Sequence, residues 1–336
     1  KFDATVINGG VINQFQNSAK LGKSEWSVLE SDESDGSFLK IPTTYSVLTN
    51  IDKEHLDFYK SFSNLIKSFE KFLEKTPPFG KSFICIDEIN NQKLIKKINT
   101  KNYQTYGFNK NANFHIILKK KNNKFSKFDL KIKLFGKKNR IYKNFQIPLL
   151  GEHNIQNATA AIAITLALGI NIIHIKKSLK NFKGVQRRYI KIFSYNKNDF
   201  YDDYAHHPTE INAVLKSVKS VNKNRKIISI FQPHRYSRLK LLKNEFSKSF
   251  KLADEVVLCP VYPAGEKIDP KFNNSTFGKL IVKNSKVRLI IIDSENDLFN
   301  YFRQNLIKDE LIICMGAGSI SSWIKSISQN EYFRKS

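Results

Sequence analysis

An acidic cluster, Glu30, Asp32, Glu33 and Asp35 in ESDESDG, comes directly after the β-like run WSVL. His55 lies 25 positions beyond Glu30, in TNIDKEH, after a second β-rich run. Two strand ends of one parallel sheet face the crevice in which open α/β sheets bind ligands. A carboxylate and an imidazole there, completed by phosphate oxygens of a nucleotide, would make an octahedral Mg2+ site. The plain alternative is an exposed acidic turn in which Ser34 and Asp35 serve as helix N-caps.

Four further segments carry polar groups suited to ligands. In GEHNIQNATAA, His153, Asn154 and Asn157 crowd the start of an apolar helix, with Asn154 and Asn157 on one face. An amide presents donor and acceptor together, as an adenine edge requires, whereas N-capping needs only one such residue. In GVQRRY, Arg187 and Arg188 are adjacent in a chain with few arginines. On an extended segment they point to opposite faces, so that one could reach a phosphate while the other holds a structural carboxylate. DDYAHHPTE groups Asp202, Asp203, His206 and His207 before Pro208, a first-turn helix position, and FQPHRYSR adds His234, Arg235 and Arg238 at another strand end. Zinc fits poorly, since neither HExxH nor a cysteine partner is present. Arg235 and Arg238, three apart at a helix start, could instead clamp a small carboxylate. MGAGSIS does not complete GxGxxG and reads as a tight strand-to-helix turn.

These residues require strands to aim them. WSVLE, YSVLTNID and KSFICID read as buried parallel strands, and apolar residues at helical spacing over 60–73 predict an amphipathic helix that Thr76-Pro77-Pro78 stops. Alternating, lysine-rich segments between 108 and 147 predict antiparallel strands on the rim of the first domain, followed by the helix NATAAIAITLALGI with Gly169 as its C-cap. After Gly184, KIISIF, DEVVLCPV, KVRLIIID and DELIICMG alternate with helices near 209–221, 238–252, 275–283 and 296–306. The expectation is an α/β chain of two domains, 1–184 with a mixed sheet and 185–336 with a Rossmann-like, mostly parallel one.

Composition bounds the function. At 336 residues and 41% hydrophobic content the chain is long and apolar enough to fold as two domains without staples. No run of about 20 apolar residues is present, so no membrane partner is expected. Cys85, Cys259 and Cys314 are widely spaced and form no CxxC, which suits a reducing cytoplasm. The net charge of +26 would ordinarily suggest a polyanion. Only nine of the 56 basic residues are arginine, however, and Lys, Asn, Ile and Phe recur throughout, as A+T-rich codons dictate. A phosphate-reading surface favours arginine for its bidentate fork, so solvated lysine faces are the expectation and nucleic acid is not an expected partner.

Together ESDESDGSFL, TNIDKEHLD, GEHNIQNATAA, GVQRRY, DDYAHHPTEI, FQPHRYSR, ADEVVLCPVYPAGE and MGAGSIS resemble, in order across nearly the whole chain, the Mur ligases. The resemblance is to the branch that joins L-alanine to UDP-N-acetylmuramate. It implies ATP-dependent ligation in bacterial peptidoglycan synthesis, with phosphorylation of the muramic acid carboxylate and attack of the alanine amine on the acyl phosphate. Also implied are ATP and Mg2+, with UDP-N-acetylmuramate and L-alanine as substrates; oligomeric state is left open. By motif match Glu30 and His55 resemble the Mg2+ ligands, and His153, Asn154 and Asn157 the adenine side. Arg188 or Arg187 resembles a phosphate-side residue, with Arg188 catalytic, and Asp203 the ribose contact. Tyr204, His206, His234, Arg235 and Arg238 resemble the alanine pocket.

The family's uridine-binding domain and its glycine-rich GTxGKT/S loop have no counterpart in these residues. Residues 1–184 are therefore expected to be an incomplete central ATPase domain and 185–336 a whole C-terminal one, a fragment that needs the loop's amides and lysine for catalysis. Two alternatives stand beside this. One is a basic polyanion-binding protein on a decayed ligase fold; the other is a ligase of the same superfamily with another amino acid or peptide.

Overall fold

In the two six-stranded sheets, buried strand residues sort by parity onto two faces, each packed against helices. The computed structural model describes residues 2–136 and 138–334. The chain divides into two units, Lys1–Gly184 and Val185–Ser336.

In the first unit, strands β1 (Thr5–Ile12), β2 (Asn17–Lys20) and β3 (Ser27–Leu29) form a small sheet of order β2-β1-β3. A second sheet runs β4 (Tyr45–Leu48), β5 (Lys81–Cys85), β6 (Tyr103–Gly107), β7 (Phe114–Lys121), β8 (Ser126–Ile132) and β9 (Arg140–Ile147) in sequence order. Pairing is parallel from β4 through β7 and antiparallel from β7 to β9, so the sheet is mixed, with its antiparallel strands at one rim. Phe83 and Cys85 pack under the helices Glu152–Ala167 and Ile172–Lys180, while Ile84 faces Leu65, Phe72 and Leu73 of the helix Phe62–Glu74. Ser61 caps that last helix by accepting from Asn64 N–H.

One expectation is corrected. WSVL and YSVL do not share a sheet, because β3 pairs with β1 while β4 begins the larger sheet. The burial patterns give the reason: β3 is exposed along its length and needs no second covering layer, whereas β4 alternates with Val47 and Leu48 packed inward.

The second unit holds one six-stranded sheet of order β10 (Ile190–Tyr195), β11 (Asn198–Asp203), β15 (Leu311–Met315), β12 (Ile227–Phe231), β13 (Glu255–Leu258) and β14 (Arg288–Ile291). Only the hairpin β10–β11 is antiparallel. Ile313, Met315 and Phe231 face the helices Pro208–Val221 and Asn274–Ser285, while Ile312, Cys314 and Ile230 face Glu295–Asn305 and Ile320–Gln329. Full burial of such side chains contributes roughly 1.5–3 kcal/mol each. The region expected as one helix over 238–252 is two short ones, Tyr236–Leu241 and Lys243–Lys248, broken at Leu242.

Strand order also sets where chemistry can sit. From β12 the chain moves outward through β13 to β14, and β15 then returns to the other side of β12. The carboxyl ends of β12 and β15, with β11 alongside, therefore meet at a topological switch point, the crevice where open parallel sheets bind ligands.

Candidate functional site

In the first unit, His55 takes a left-handed backbone (φ 54) ahead of the short helix Leu56–Tyr59. This conformation brings its Nε2 to 3.6 Å from Glu33 Oε1 and 3.6 Å from Glu54 Oε2. Among the described residues these three form the group of donors compact enough for a metal ion, with ligand atoms within 4.8 Å of one another. Glu30 is not in the set; its Oε2 accepts from Gly9 N–H at 2.6 Å. The acidic motif does supply a carboxylate beside His55, but from Glu33, and Glu54 joins it. Glu54 was legible only as a neighbour of His55.

The helix Glu152–Ala167 starts at Gly151 without a side-chain cap. Asn154 Nδ2 donates back to Leu150 O at 2.6 Å, His153 is half-buried and Asn157 is exposed. Gln156, which the sequence did not single out, donates to Asp87 Oδ2 at 2.5 Å. Asp87 also accepts from Phe108 N–H and Asn109 N–H, both at 2.8 Å, and so ties the helix to the end of β6.

In the second unit, Arg187 and Arg188 lie in a turn, with positive φ at Arg187 (57) and Tyr189 (52). The extended geometry expected of them is therefore absent. Their guanidinium carbons stand 4.8 and 5.7 Å from the centre of one ring, Tyr204. Arg187 donates to Gly316 O and lies 3.7 Å from the buried Asp202 carboxylate, which is the structural half of the role expected of the pair. Arg188 is half-exposed, with Nη1 3.4 Å from Glu210 Oε1.

Asp203, expected beside a ribose, is buried at the end of β11. Its Oδ2 accepts from Tyr189 N–H and its Oδ1 from Ala205 N–H, each at 2.8 Å. Burial pushes its carboxyl up to about 7, against those hydrogen bonds and Arg188. Both oxygens hold the loop that carries Tyr204 and His206.

That loop and the one after β12 bring Tyr204, His206, His234 and Arg238 together. The rings of Tyr204 and His206 meet edge to face at 5.1 Å, and His206 and His234 at 5.7 Å. Arg238 Nη1 lies 3.3 Å from His234 Nδ1. Arg235 is exposed with φ 69, and its N–H donates to Tyr262 O at 2.9 Å. Glu210, a third-position residue of the helix Pro208–Val221, completes a capping box with His207. Its Oε2 accepts from His206 N–H at 3.0 Å and His207 N–H at 3.2 Å. The S/T-x-x-E signature could have flagged it had histidine been admitted as a cap.

Burial lowers the pKa of His206, with Arg238 adding to the effect and Glu210 opposing it. Burial also brings His234 down to about 4, helped by His206, Arg238 and Arg235. Both imidazoles are therefore neutral near pH 7, and the arginines supply the positive charge of the cluster. Tyr262, not anticipated from sequence, stands beside His234 with ring centres 5.7 Å apart and planes 16° from parallel.

Residues 11–165 match the Mur ligase middle domain and residues 187–318 the Mur ligase glutamate ligase domain. The chain is 54% identical over 329 residues to a UDP-N-acetylmuramate–L-alanine ligase of Pelagibacter ubique, covering 98% of this chain and 71% of that protein. It is 38% identical over 321 residues to the ligase of the same name from Brucella anthropi, covering 96% and 68%. The crystal structure of a UDP-N-acetylmuramate–alanine ligase from Thermotoga maritima superposes with a TM-score of 0.77 at 25% identity, over 99% of this chain and 70% of that one.

Proposed function

The chain belongs to the Mur ligase family, and from that premise we propose that it joins L-alanine to the lactyl carboxylate of UDP-N-acetylmuramate, with conversion of ATP to ADP and phosphate, in the bacterial cytoplasm. The observation that carries this is the 54% identity, across 98% of the chain, to a relative named for that reaction. Among the described residues no helix is long and apolar enough to cross a membrane.

Each part of the reaction makes a chemical demand. The γ-phosphoryl group of ATP passes to the carboxylate oxygen of the sugar nucleotide, giving an acyl phosphate and ADP. The amine of alanine then attacks the acyl carbon, the C–N bond forms, and phosphate leaves. Glu33, Glu54 and His55 would hold Mg2+, a hard cation suited to carboxylate oxygens, and when bound it offsets charge on the transferred phosphoryl group. Asn157, exposed on the helix Glu152–Ala167, would meet an adenine edge, with half-buried His153 on the same helix start. Arg188 is the half-exposed cation of its pair and the one able to meet a phosphate.

Arg235 and Arg238 would hold the alanine carboxylate. His206 Nδ1 lies 2.9 Å from the Tyr204 carbonyl, a pairing that requires the proton on Nδ1. Nε2 then carries the lone pair, and the lowered pKa keeps it unprotonated near pH 7. This nitrogen is suited to take the proton that the alanine ammonium must lose before it attacks.

Phosphate release by the chain joined to the family's uridine-binding domain and glycine-rich loop, given ATP, Mg2+, UDP-N-acetylmuramate and single amino acids, tests the proposal. The expected result is release that requires both the sugar nucleotide and L-alanine. Release with a different amino acid or peptide would assign another member of the family. Silence from a folded chain that binds arbitrary DNA with a steep salt dependence would favour a basic binding protein instead.

A further inference from the structure

The glycine-rich turn MGAGS after β15 has no role in the scheme above, and its geometry is specific. Gly316 has φ +150, and a Cβ there would lie 2.7 Å from Gln232 O. At Gly318 a Cβ would lie 2.5 Å from Gln232 Oε1, 2.5 Å from Tyr262 Cγ and 2.6 Å from Tyr262 Cβ. Both glycines thus let the turn pass flush against the ends of neighbouring strands. Gln232 locks it there, its Nε2 donating to Ser319 Oγ at 3.0 Å and its Oε1 accepting from Ile320 N–H at 2.9 Å.

Tyr262 is pinned from the other side. Its N–H donates to Pro233 O at 2.8 Å and its carbonyl accepts from Arg235 N–H at 2.9 Å, a parallel bridge between residues 234 and 262. The backbone of the arginine-bearing loop is thereby fixed to the residue whose ring stands beside His234. Tyr262 is 39% exposed, so its ring stands beside the cluster without being part of the core. His234 is held between His206 and Tyr262, with both ring centres 5.7 Å away.

We infer that Tyr262, seated against Gly318, is the wall that limits the size of the amino acid side chain accepted beside His234. The inference rests on the proposed assignment of the Arg235–Arg238 cluster to alanine. A carboxylate clamp alone holds every amino acid equally; rejection of larger ones needs a rigid surface near the β-carbon. The two backbone hydrogen bonds and the close seat on Gly318 make Tyr262 rigid. One extra methylene in such a pocket is discriminated by about 10- to 200-fold.

Ligand-detected NMR on the full chain, with L-alanine, L-serine and L-valine in competition, measures this directly. The wild type is expected to bind alanine at least tenfold more tightly than valine. Tyr262→Phe, which keeps the ring, should retain that ratio. Tyr262→Ala, which removes the ring, should reduce it by about tenfold or more, mainly through a gain for valine. Thermal melts confirm that each variant folds, and loosening of the fold alone would weaken all three amino acids in parallel. A ratio unchanged in folded Tyr262→Ala, or a parallel loss of all three, overturns the inference and leaves the alanine pocket standing. Absence of alanine binding to the wild type overturns the pocket assignment and the inference with it.

Discussion

Replacing Glu210 separates helix capping from charge at the candidate site. Its Oε2 accepts from His206 N–H and His207 N–H, and its Oε1 pairs with half-exposed Arg188 at 3.4 Å. Burial opposes its charge, but His206, the backbone donors and Arg188 hold its carboxyl below the usual range. In Glu210→Ala the capping box is broken by loss of its third-position acceptor, at about 1–1.5 kcal/mol for each N–H left unpaired. Two part-buried N–H groups lose their acceptor, and the exposed Arg188 pair adds only about 0.2–1 kcal/mol. The expected cost is ~2–4 kcal/mol. Glu210→Gln keeps one carbonyl oxygen for the backbone and should cost ~1 kcal/mol. In a unit of this size calorimetry should read about 2–4 °C of Tm per kcal/mol, so the two variants separate clearly. Their effect on His206 should be alike, because both remove the carboxylate that favours its protonated form: in each variant the His206 pKa falls further, as followed by 1H–15N NMR of the imidazole. Equal melting temperatures for the two variants would refute the capping argument. A His206 pKa that rises in Glu210→Gln would refute the electrostatic one.

Asp203 should make stability fall with rising pH. Its carboxyl is raised to about 7 in the fold, so between about pH 4 and 7 the unfolded chain binds fewer protons than the native one. The contribution is whole below about pH 4 and lost by about pH 7, a change of ~4 kcal/mol; urea unfolding across that range should show a slope that Asp203→Asn reduces, and identical slopes would count against it. Gly107→Ala should destabilise the first unit by ~3 kcal/mol or more, since φ is +147 and a Cβ would lie 2.5 Å from Asp87 Oδ1. A melting temperature within a degree of wild type would show that Asp87 yields freely. Glu33→Gln should weaken Mn2+ binding, read by electron paramagnetic resonance, several-fold more than Glu30→Gln does, and the reverse order would restore Glu30 as the ligand.

What could be read from the chain before folding follows the range of the interactions involved. DDYAHHPTE and FQPHRYSR are local strand-to-helix turns, and the structure brings their Tyr204, His206, His234 and Arg238 into one cluster. The parallel and antiparallel parts of the larger sheet were legible because buried runs and alternating lysine-rich runs differ in pattern. Sheet membership was not legible for β3, since three residues carry too little pattern to name a partner. The expected extended form of Arg187 and Arg188 failed for a related reason. Positive φ at Arg187 accompanies contacts with Gly316, far away in sequence, and with Asp202, on the second strand of the hairpin that follows.

Tyr262 shows the limit most clearly. It lies in ADEVVLCPVYPAGE, a segment that carries the family resemblance, but nothing within ten residues points from it to His234. Its place follows from strand order: β13 lies next to β12, so the loop after one strand bridges to the loop after the other. β15 enters on the far side of β12 and delivers Gly318 to the same ring. A side chain that closes a site can thus be specified by three segments that meet only at the switch point, and its presence explains why the MGAGS turn requires glycine at a position where any larger residue would strike a tyrosine.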